Sequence, residues 1–75
     1  MKYKHVHFVE VKNEGKKTKR WICRNNLYDE ILGEVSWYVP WRQYCYYTFS
    51  DIEYSASCLI DIANFLTKVK DERQH

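Results

Sequence analysis

The sequence predicts an α+β fold, in which a four-stranded antiparallel sheet carries one C-terminal helix packed on one face. Segments rich in β-branched and aromatic residues, separated by turn-forming residues, occupy the chain as far as Phe49. After Phe49 the apolar residues recur every three or four positions, which is the period of a helix. The chain has 75 residues, so residues 1–75 are interpreted as a single domain.

Two predicted strands lie in the basic first part of the chain. The stretch YKHVHFVEV, at 3–11, predicts the first strand, and NEGKKT, at 13–18, contains the turn formers Asn13 and Gly15. KRWICRN, at 19–25, predicts the second strand. NNLYDE, at 25–30, predicts the turn that follows, because asparagine and aspartate favour turns.

A proline separates the third and fourth predicted strands. ILGEVSWY, at 31–38, alternates Gly33, Val35 and Trp37 with polar residues, which is the pattern of a strand. Pro40 cannot donate a main-chain hydrogen bond, so Val39-Pro40-Trp41 is expected to be a tight connection. RQYCYYTF, at 42–49, then predicts a fourth strand antiparallel to the third.

The segment SASCLIDIANFLTKV, at 55–69, predicts the helix. Its apolar residues form one stripe, consisting of Leu59, Ile62, Phe65, Leu66 and Val69. Ser55 or Ser57 suits the N-cap position, and Lys68 and Lys70 suit the end of the helix dipole that favours cations. An earlier start is an alternative, because Ser50 and Glu53 have the spacing of a capping box.

Side chains alternate between the two faces of a sheet, so each strand divides into a buried set and a displayed set. The set expected to face the helix is Val6, Phe8, Trp21, Cys23, Ile31, Val35, Trp37, Cys45, Tyr47 and Phe49, with Val9 and Val11 competing with Val6 and Phe8. Leu59, Ile62, Phe65 and Leu66 are expected to complete this core from the helix.

One helix covers one face, so the other face is expected to be open and to carry the functional site. The candidate binding residues are Lys16, Lys17, Lys19, Arg20, Arg24, Tyr38, Trp41, Arg42, Tyr44 and Tyr46. Tyrosine and arginine are common at protein interfaces, which predicts a protein partner or a homodimer. Arginine also pairs with phosphate and tyrosine stacks on bases, so nucleic acid is the alternative partner of the same face.

The distribution of charge supports a binding role at one end of the chain. Residues 1–25 contain eight Lys or Arg and two Glu, whereas residues 26–75 contain four Lys or Arg and eight Asp or Glu. The run KKTKR, at 16–20, suits either a solvated turn or an anion-binding patch.

Several functional classes find no support in the sequence. Cys23, Cys45 and Cys58 stand apart from one another and from His5 and His7, so no metal site and no cofactor is predicted. The pattern offers no activated nucleophile and no glycine-rich phosphate loop, so the protein is not expected to be an enzyme. No segment has the length of a membrane span or the pattern of a signal peptide, which predicts a cytoplasmic protein without membrane partners.

Two blocks of sequence resemble a group of small uncharacterised bacterial and phage proteins. Trp37 to Cys45 matches a Trp-Tyr-x-Pro-Trp-Arg-x-Tyr-Cys block, and Cys58 to Leu66 matches a Cys-Leu-x-Asp-Ile-x-x-Phe-Leu helix. The resemblance implies a phage or prophage setting, in which small chains often bind and block a host component. We therefore expect a non-catalytic protein-binding module that acts as an inhibitor or accessory factor on a host protein.

Overall fold

A computed structural model describes residues 3–49 and 51–73 of the chain. It confirms the predicted fold: one antiparallel sheet with the strand order β1-β2-β3-β4, followed by one helix. The strands are β1 (Val6–Val11), β2 (Arg20–Asn25), β3 (Ile31–Tyr38) and β4 (Gln43–Thr48), and the helix is α1 (Ala56–Arg73).

The connection between β3 and β4 is a short 3₁₀ helix, Val39–Trp41, with Pro40 in its first turn. Proline suits this position because its ring fixes φ and its missing N–H has no helical partner there. Arg42 ends the turn in the left-handed region, with φ 52°, and its N–H donates to the carbonyl of Val39 at 3.1 Å. The tight connection predicted around Pro40 is therefore confirmed.

Ser55 is the N-cap of α1, which confirms one of the two predicted N-cap residues. Its Oγ accepts a hydrogen bond from the N–H of Cys58 at 3.2 Å, and the helix begins at Ala56. The earlier start is wrong, because Glu53 lies outside the helix. Ser50, the other half of that capping box, lies outside the described residues.

The core lies between α1 and one face of the sheet, in two adjoining clusters. One contains Val6, Cys23, Leu32, Cys58 and Ile62, and the other contains Trp21, Val35, Tyr44, Phe65 and Val69. The stacked rings of Phe8 and Phe65 lie 3.8 Å apart and join the first strand to the helix. These contacts confirm the helix-facing sets predicted for β1 and β2, and they confirm Val35, Trp37, Ile62 and Phe65.

The prediction for β4 is wrong by one residue. Tyr46 lies opposite Val35 and Tyr44 lies opposite Trp37, so both tyrosines point toward the helix. Tyr44 is buried and Tyr46 packs against both clusters. The predicted core residues of β4, Cys45, Tyr47 and Phe49, are therefore not in the core. The sequence YCYYTF is apolar in both phases, so alternation alone does not decide between them.

Two further positions differ from the prediction. Cys23 pairs with Gly33 while Arg24 pairs with Ile31, so β3 has one extra residue, Leu32, at an irregularity in the ladder. The shift turns Leu32 into the core and leaves Ile31 on the surface. On the helix, Leu59 is 51 % exposed, because it lies on one flank of the buried stripe.

Candidate functional site

The sheet face opposite α1 has no described element packed on it. We call this surface the open face. Its residues follow from the strand register and are His7, Val9, Val11, Arg20, Ile22, Arg24, Ile31, Glu34, Ser36, Tyr38, Gln43, Cys45 and Tyr47. One row of the open face runs across all four strands, because Val9 pairs with Ile22, Ile22 with Glu34 and Glu34 with Tyr47.

Arg20 and Glu34 form an ion pair on the open face. The guanidinium donates from Nε to Oε2 at 2.8 Å and from Nη2 to Oε1 at 3.2 Å. These hydrogen bonds hold the pKa of Glu34 below its ordinary value and raise the pKa of Arg20. A forked pair of this kind occupies two of the five N–H donors of the guanidinium and neutralises its charge, which weakens its attraction for an external carboxylate or phosphate.

Arg24 is also engaged within the molecule. Its Nη1 donates to the carbonyl oxygen of Asp29 at 2.7 Å and lies 3.6 Å from Oδ1 of the same residue. His7 Nε2 lies 3.5 Å from that Oδ1, so the β2–β3 turn is held against the strands at this end of the open face. Asp29 adopts φ 56°, a left-handed conformation that aspartate tolerates in turns.

Three aromatic rings meet at the other end of the open face. The ring of Tyr38 lies 5.1 Å from that of Trp41 and 6.4 Å from that of Tyr47, both in edge-to-face geometry. Trp41 is 66 % exposed and Tyr47 is 39 % exposed, so a partner has access to both rings. We call Tyr38, Trp41 and Tyr47 the aromatic corner.

The predicted site residues occupy three different places. Arg20, Arg24 and Tyr38 lie on the open face, and Trp41 and Arg42 lie in the connection that borders it. Lys16, Lys17 and Lys19 lie in the β1–β2 turn, where all three are exposed. Lys17 and Lys19 line a small depression with Trp21, Tyr44, Val69 and Glu72, which brings the C-terminal end of α1 to the same end of the sheet. We call Lys16, Lys17, Lys19, Arg42 and Lys70 the lysine end.

Tyr44 and Tyr46, the other two predicted site residues, do not belong to this surface. The hydroxyl of Tyr44 accepts a hydrogen bond from the N–H of Lys19 at 3.1 Å, which ties the β1–β2 turn to β4. The hydroxyl of Tyr54 donates to the carbonyl of Leu32 at 2.6 Å, so at 3.1 Å it accepts from the hydroxyl of Tyr46. Burial raises the pKa of Tyr46. Tyr44 and Tyr46 therefore contribute to the packing of the sheet.

Tyr47 and Val9 are surface residues that the sequence prediction placed elsewhere or left undecided. The signal that identifies Tyr47 is its alignment with Glu34 across the β3–β4 hairpin. That alignment depends on how many residues the connection at 39–42 consumes. The 3₁₀ turn together with the left-handed Arg42 sets this number, and neither follows from the period of the apolar residues.

Comparison with known proteins places the chain in a family. No protein-family model matches the chain, and no solved structure matches it at a significant level. The uncharacterized 9.3 kDa protein of Acholeplasma phage L2 is 33 % identical over 70 residues, which span 93 % of this chain and 90 % of the relative. The chain belongs to the family of this phage protein. Resemblance to small uncharacterised phage proteins is thereby confirmed at the level of the family.

Metal-ligand geometry and thiol reactivity can be described for the residues that the structure covers. They contain no group of three or more His, Cys, Asp or Glu side chains placed to hold a metal ion. Burial raises the pKa of the Cys23 thiol to about 11, and it also raises the pKa of Cys58, so both thiols are poor nucleophiles near neutrality. No helix among these residues is long and apolar enough to cross a membrane.

Proposed function

We propose that the protein is a non-catalytic protein-binding module that recognises its partner through the open face, with the aromatic corner as the centre of the contact. The observation that carries the proposal is the combination of exposed rings and neutralised cations on one uncovered surface. Trp41 and Tyr47 are accessible, while Arg20 and Arg24 are each held by a carboxylate or carbonyl of the same chain.

This combination favours a protein over a nucleic acid. A phosphate backbone is bound by cations whose counterions are released on association. On the open face the carboxylate of Glu34 lies in the middle of the sheet, 2.8 Å from Arg20, and would repel a phosphate approaching that guanidinium. A protein partner instead gains from burying Val9, Ile22 and the aromatic corner, because tryptophan and tyrosine dominate the binding energy of many interfaces.

The family membership supports a setting for this activity. Because a relative is a phage protein, the partner proposed here is a host protein, and the action is that of an inhibitor or accessory factor in the cytoplasm. A binding module of this kind requires neither a cofactor nor a catalytic residue. The Trp37–Cys45 block contains part of the aromatic corner and the Cys58–Leu66 block contains half of the core helix, so we propose that these blocks mark the family.

Nucleic-acid binding remains the second candidate, and one observation favours it. The lysine end contains exposed cations, and no carboxylate of the described residues lies within 4.0 Å of the charged groups of Lys16, Lys17, Lys19 or Arg42. Trp41 lies beside Arg42 and offers a ring for stacking. Such binding would use the end of the sheet more than its open face.

Capture from host lysate on immobilised protein separates the two candidates. We expect a host protein that is retained by the wild type and by Leu27→Ala and is lost with Tyr47→Ala. Leu27 is a matched control because it is 76 % exposed and lies in the β2–β3 turn, away from the aromatic corner. Recovery that survives Tyr47→Ala, or that disappears after nuclease treatment, would argue against the proposal.

The nucleic-acid candidate has a separate test. Fluorescence of the three tryptophans is followed while single- and double-stranded DNA and RNA are added at low and moderate salt. Saturable quenching that weakens with salt, and that is reduced by Lys16→Ala and Lys17→Ala together, would establish this candidate. A flat trace at low salt would remove it.

A further inference from the structure

We propose that the protein forms a symmetric dimer in which the free edge of β4 pairs with the same edge of a second copy. In this arrangement one flank of each α1 helix packs beside the joined strands. The inference goes beyond the proposed function, because it uses the main-chain edge of β4 and a flank of α1, and this contact adjoins the open face at Trp41 and Cys45.

The first observation is that β4 presents main-chain groups away from the sheet. It is the last strand in the order β1-β2-β3-β4. The N–H of Phe49 donates to the carbonyl of Leu32 on β3 at 3.3 Å. Because these groups alternate in direction along an antiparallel strand, those of Tyr44, Tyr46 and Thr48 point away from β3. Among the described residues, no strand lies on that side of β4.

The second observation is that the β4 edge lacks the residues that usually prevent an edge strand from pairing with another molecule. Edge strands of monomers usually carry charged residues or proline that oppose pairing with another chain. The strand Gln43–Thr48, QYCYYT, contains neither. The opposite edge of the sheet is β1, which contains the charged side chain of Glu10 as well as His7 and Phe8. The β4 edge is therefore the one suited to pairing.

The third observation is an apolar helix flank on the same side of the molecule. Leu66, Thr67 and Lys70 line a groove of about 440 Å³ together with Trp41 and residues 43–46. Leu59 and Ala63 lie on the flank of Leu66 because they precede it by seven and three residues. Leu59 is 51 % exposed and Ala63 is also exposed, so this flank continues the groove with uncovered apolar surface.

A two-fold axis perpendicular to the sheet brings the two β4 edges into contact and also brings the two α1 flanks into contact. Antiparallel pairing centred on Tyr46 places Tyr44 of one copy opposite Thr48 of the second, and each such pair exchanges two N–H···O bonds. The two α1 helices then lie antiparallel on the same face of one continuous sheet, with the flanks of Ala63 directed toward each other. The contact is isologous, so it closes at two copies.

The distribution of charge selects a second copy as the occupant of the edge. Three carboxylates, those of Glu30, Asp51 and Glu53, line an open depression at the end of the sheet opposite the lysine end, and they outnumber the cation of Lys4 there. The two-fold axis reverses one copy relative to the other, so Arg42 and Lys70 of one copy approach Asp51 and Glu53 of the second. Opposite charges meet at both ends of the contact, while the uncharged strands meet in its middle.

Sedimentation velocity of the full-length chain over a range of concentrations up to submillimolar tests the dimer. We expect the wild type to reach a mass of twice 9.2 kDa. Ala63→Glu brings two carboxylates together at the axis, and Thr48→Pro removes an outward N–H while leaving the β3 ladder intact. Each is expected to raise the dimer dissociation constant by about 30-fold or more. Asn64→Glu and Thr48→Ala are the matched controls and are expected to remain dimeric.

A wild type that stays monomeric at the highest concentration would overturn the dimer without affecting the proposed binding function. A dimer that survives both Ala63→Glu and Thr48→Pro would show association through another surface and would also overturn it. Circular dichroism establishes that each variant is folded. Loss of the dimer in either variant, with folding retained and the controls unchanged, would support the proposal.

Discussion

The Arg20 guanidinium holds the Glu34 carboxylate across β2 and β3 through two hydrogen bonds, of 2.8 and 3.2 Å. Glu34 belongs to the row of the open face that also contains Val9, Ile22 and Tyr47, and Arg20 lies beside that row. The ion pair neutralises the positive charge of Arg20 and leaves the aromatic corner as the accessible feature of the open face. This relationship is the basis on which we propose a protein partner.

Stability at acid pH follows from the same ion pair. Because the folded-state pKa of Glu34 is lowered below 4.5, the pair stabilises the fold fully above that pH and ceases to do so as pH falls through the folded-state pKa. Glu34→Gln is expected to cost about 0.5 to 1 kcal/mol at pH 7, since the pair is partly exposed. Urea unfolding at a series of pH values measures the difference, which should shrink below pH 4.5. A difference independent of pH would contradict this account.

Gly33 is expected to tolerate no side chain. A Cβ built at this position would lie 2.6 Å from the hydroxyl oxygen of Tyr46 and would also meet the main chain of Tyr47. Gly33→Ala should therefore destabilise the protein by about 2 to 4 kcal/mol, since the main chain cannot move away without disrupting the β3–β4 ladder. Thermal unfolding measures the loss. Gly15→Ala is not an equivalent control because Gly15 has φ 69°, so Val39→Ala, at an exposed residue directly after β3, serves instead.

The hydroxyl of Tyr54 connects β3, β4 and the segment before α1. Tyr54→Phe removes the acceptor that Tyr54 offers to the hydroxyl of Tyr46, and it leaves the carbonyl of Leu32 with only the longer hydrogen bond from the N–H of Phe49, at 3.3 Å. We expect a loss of about 1 to 3 kcal/mol in the free energy of unfolding, because both groups are shielded from water. Tyr28→Phe, at a side chain that is 77 % exposed, should change stability little. Equal stability of the two variants would show that the hydrogen bonds of the Tyr54 hydroxyl do not stabilise the fold.

The three free cysteines are expected to differ in reactivity. Cys23 and Cys58 are buried, and burial raises the pKa of both thiols, to about 11 for Cys23. Cys45 lies on the open face at intermediate exposure. A disulfide reagent at pH 8 should therefore modify one thiol rapidly in the folded protein and all three after denaturation. Cys45→Ser should remove the rapid phase, and its persistence in that variant would contradict the placement of β4.

The sequence was sufficient to predict the fold because its local signals agree. β-Branched strands, asparagine-rich turns, Pro40 and the helical stripe before Val69 all indicate the same architecture. The candidate site was predicted less completely, since β4 is apolar in both phases and its register depends on the conformation of Arg42. The alternation of side chains places Arg20 and Arg24 on the open face, but their partners Glu34 and Asp29 follow only from the strand pairing and the β2–β3 turn.

The measurement that tests the central claim most directly is the affinity of the captured host protein for the wild type, Trp41→Ala, Tyr47→Ala and Leu27→Ala, determined by isothermal titration calorimetry. The aromatic corner is predicted to dominate the contact, so Trp41→Ala and Tyr47→Ala should each weaken binding by about 30-fold, or about 2 kcal/mol. Leu27→Ala should bind as the wild type does. If both corner variants bind with wild-type affinity, the open face is not the binding surface.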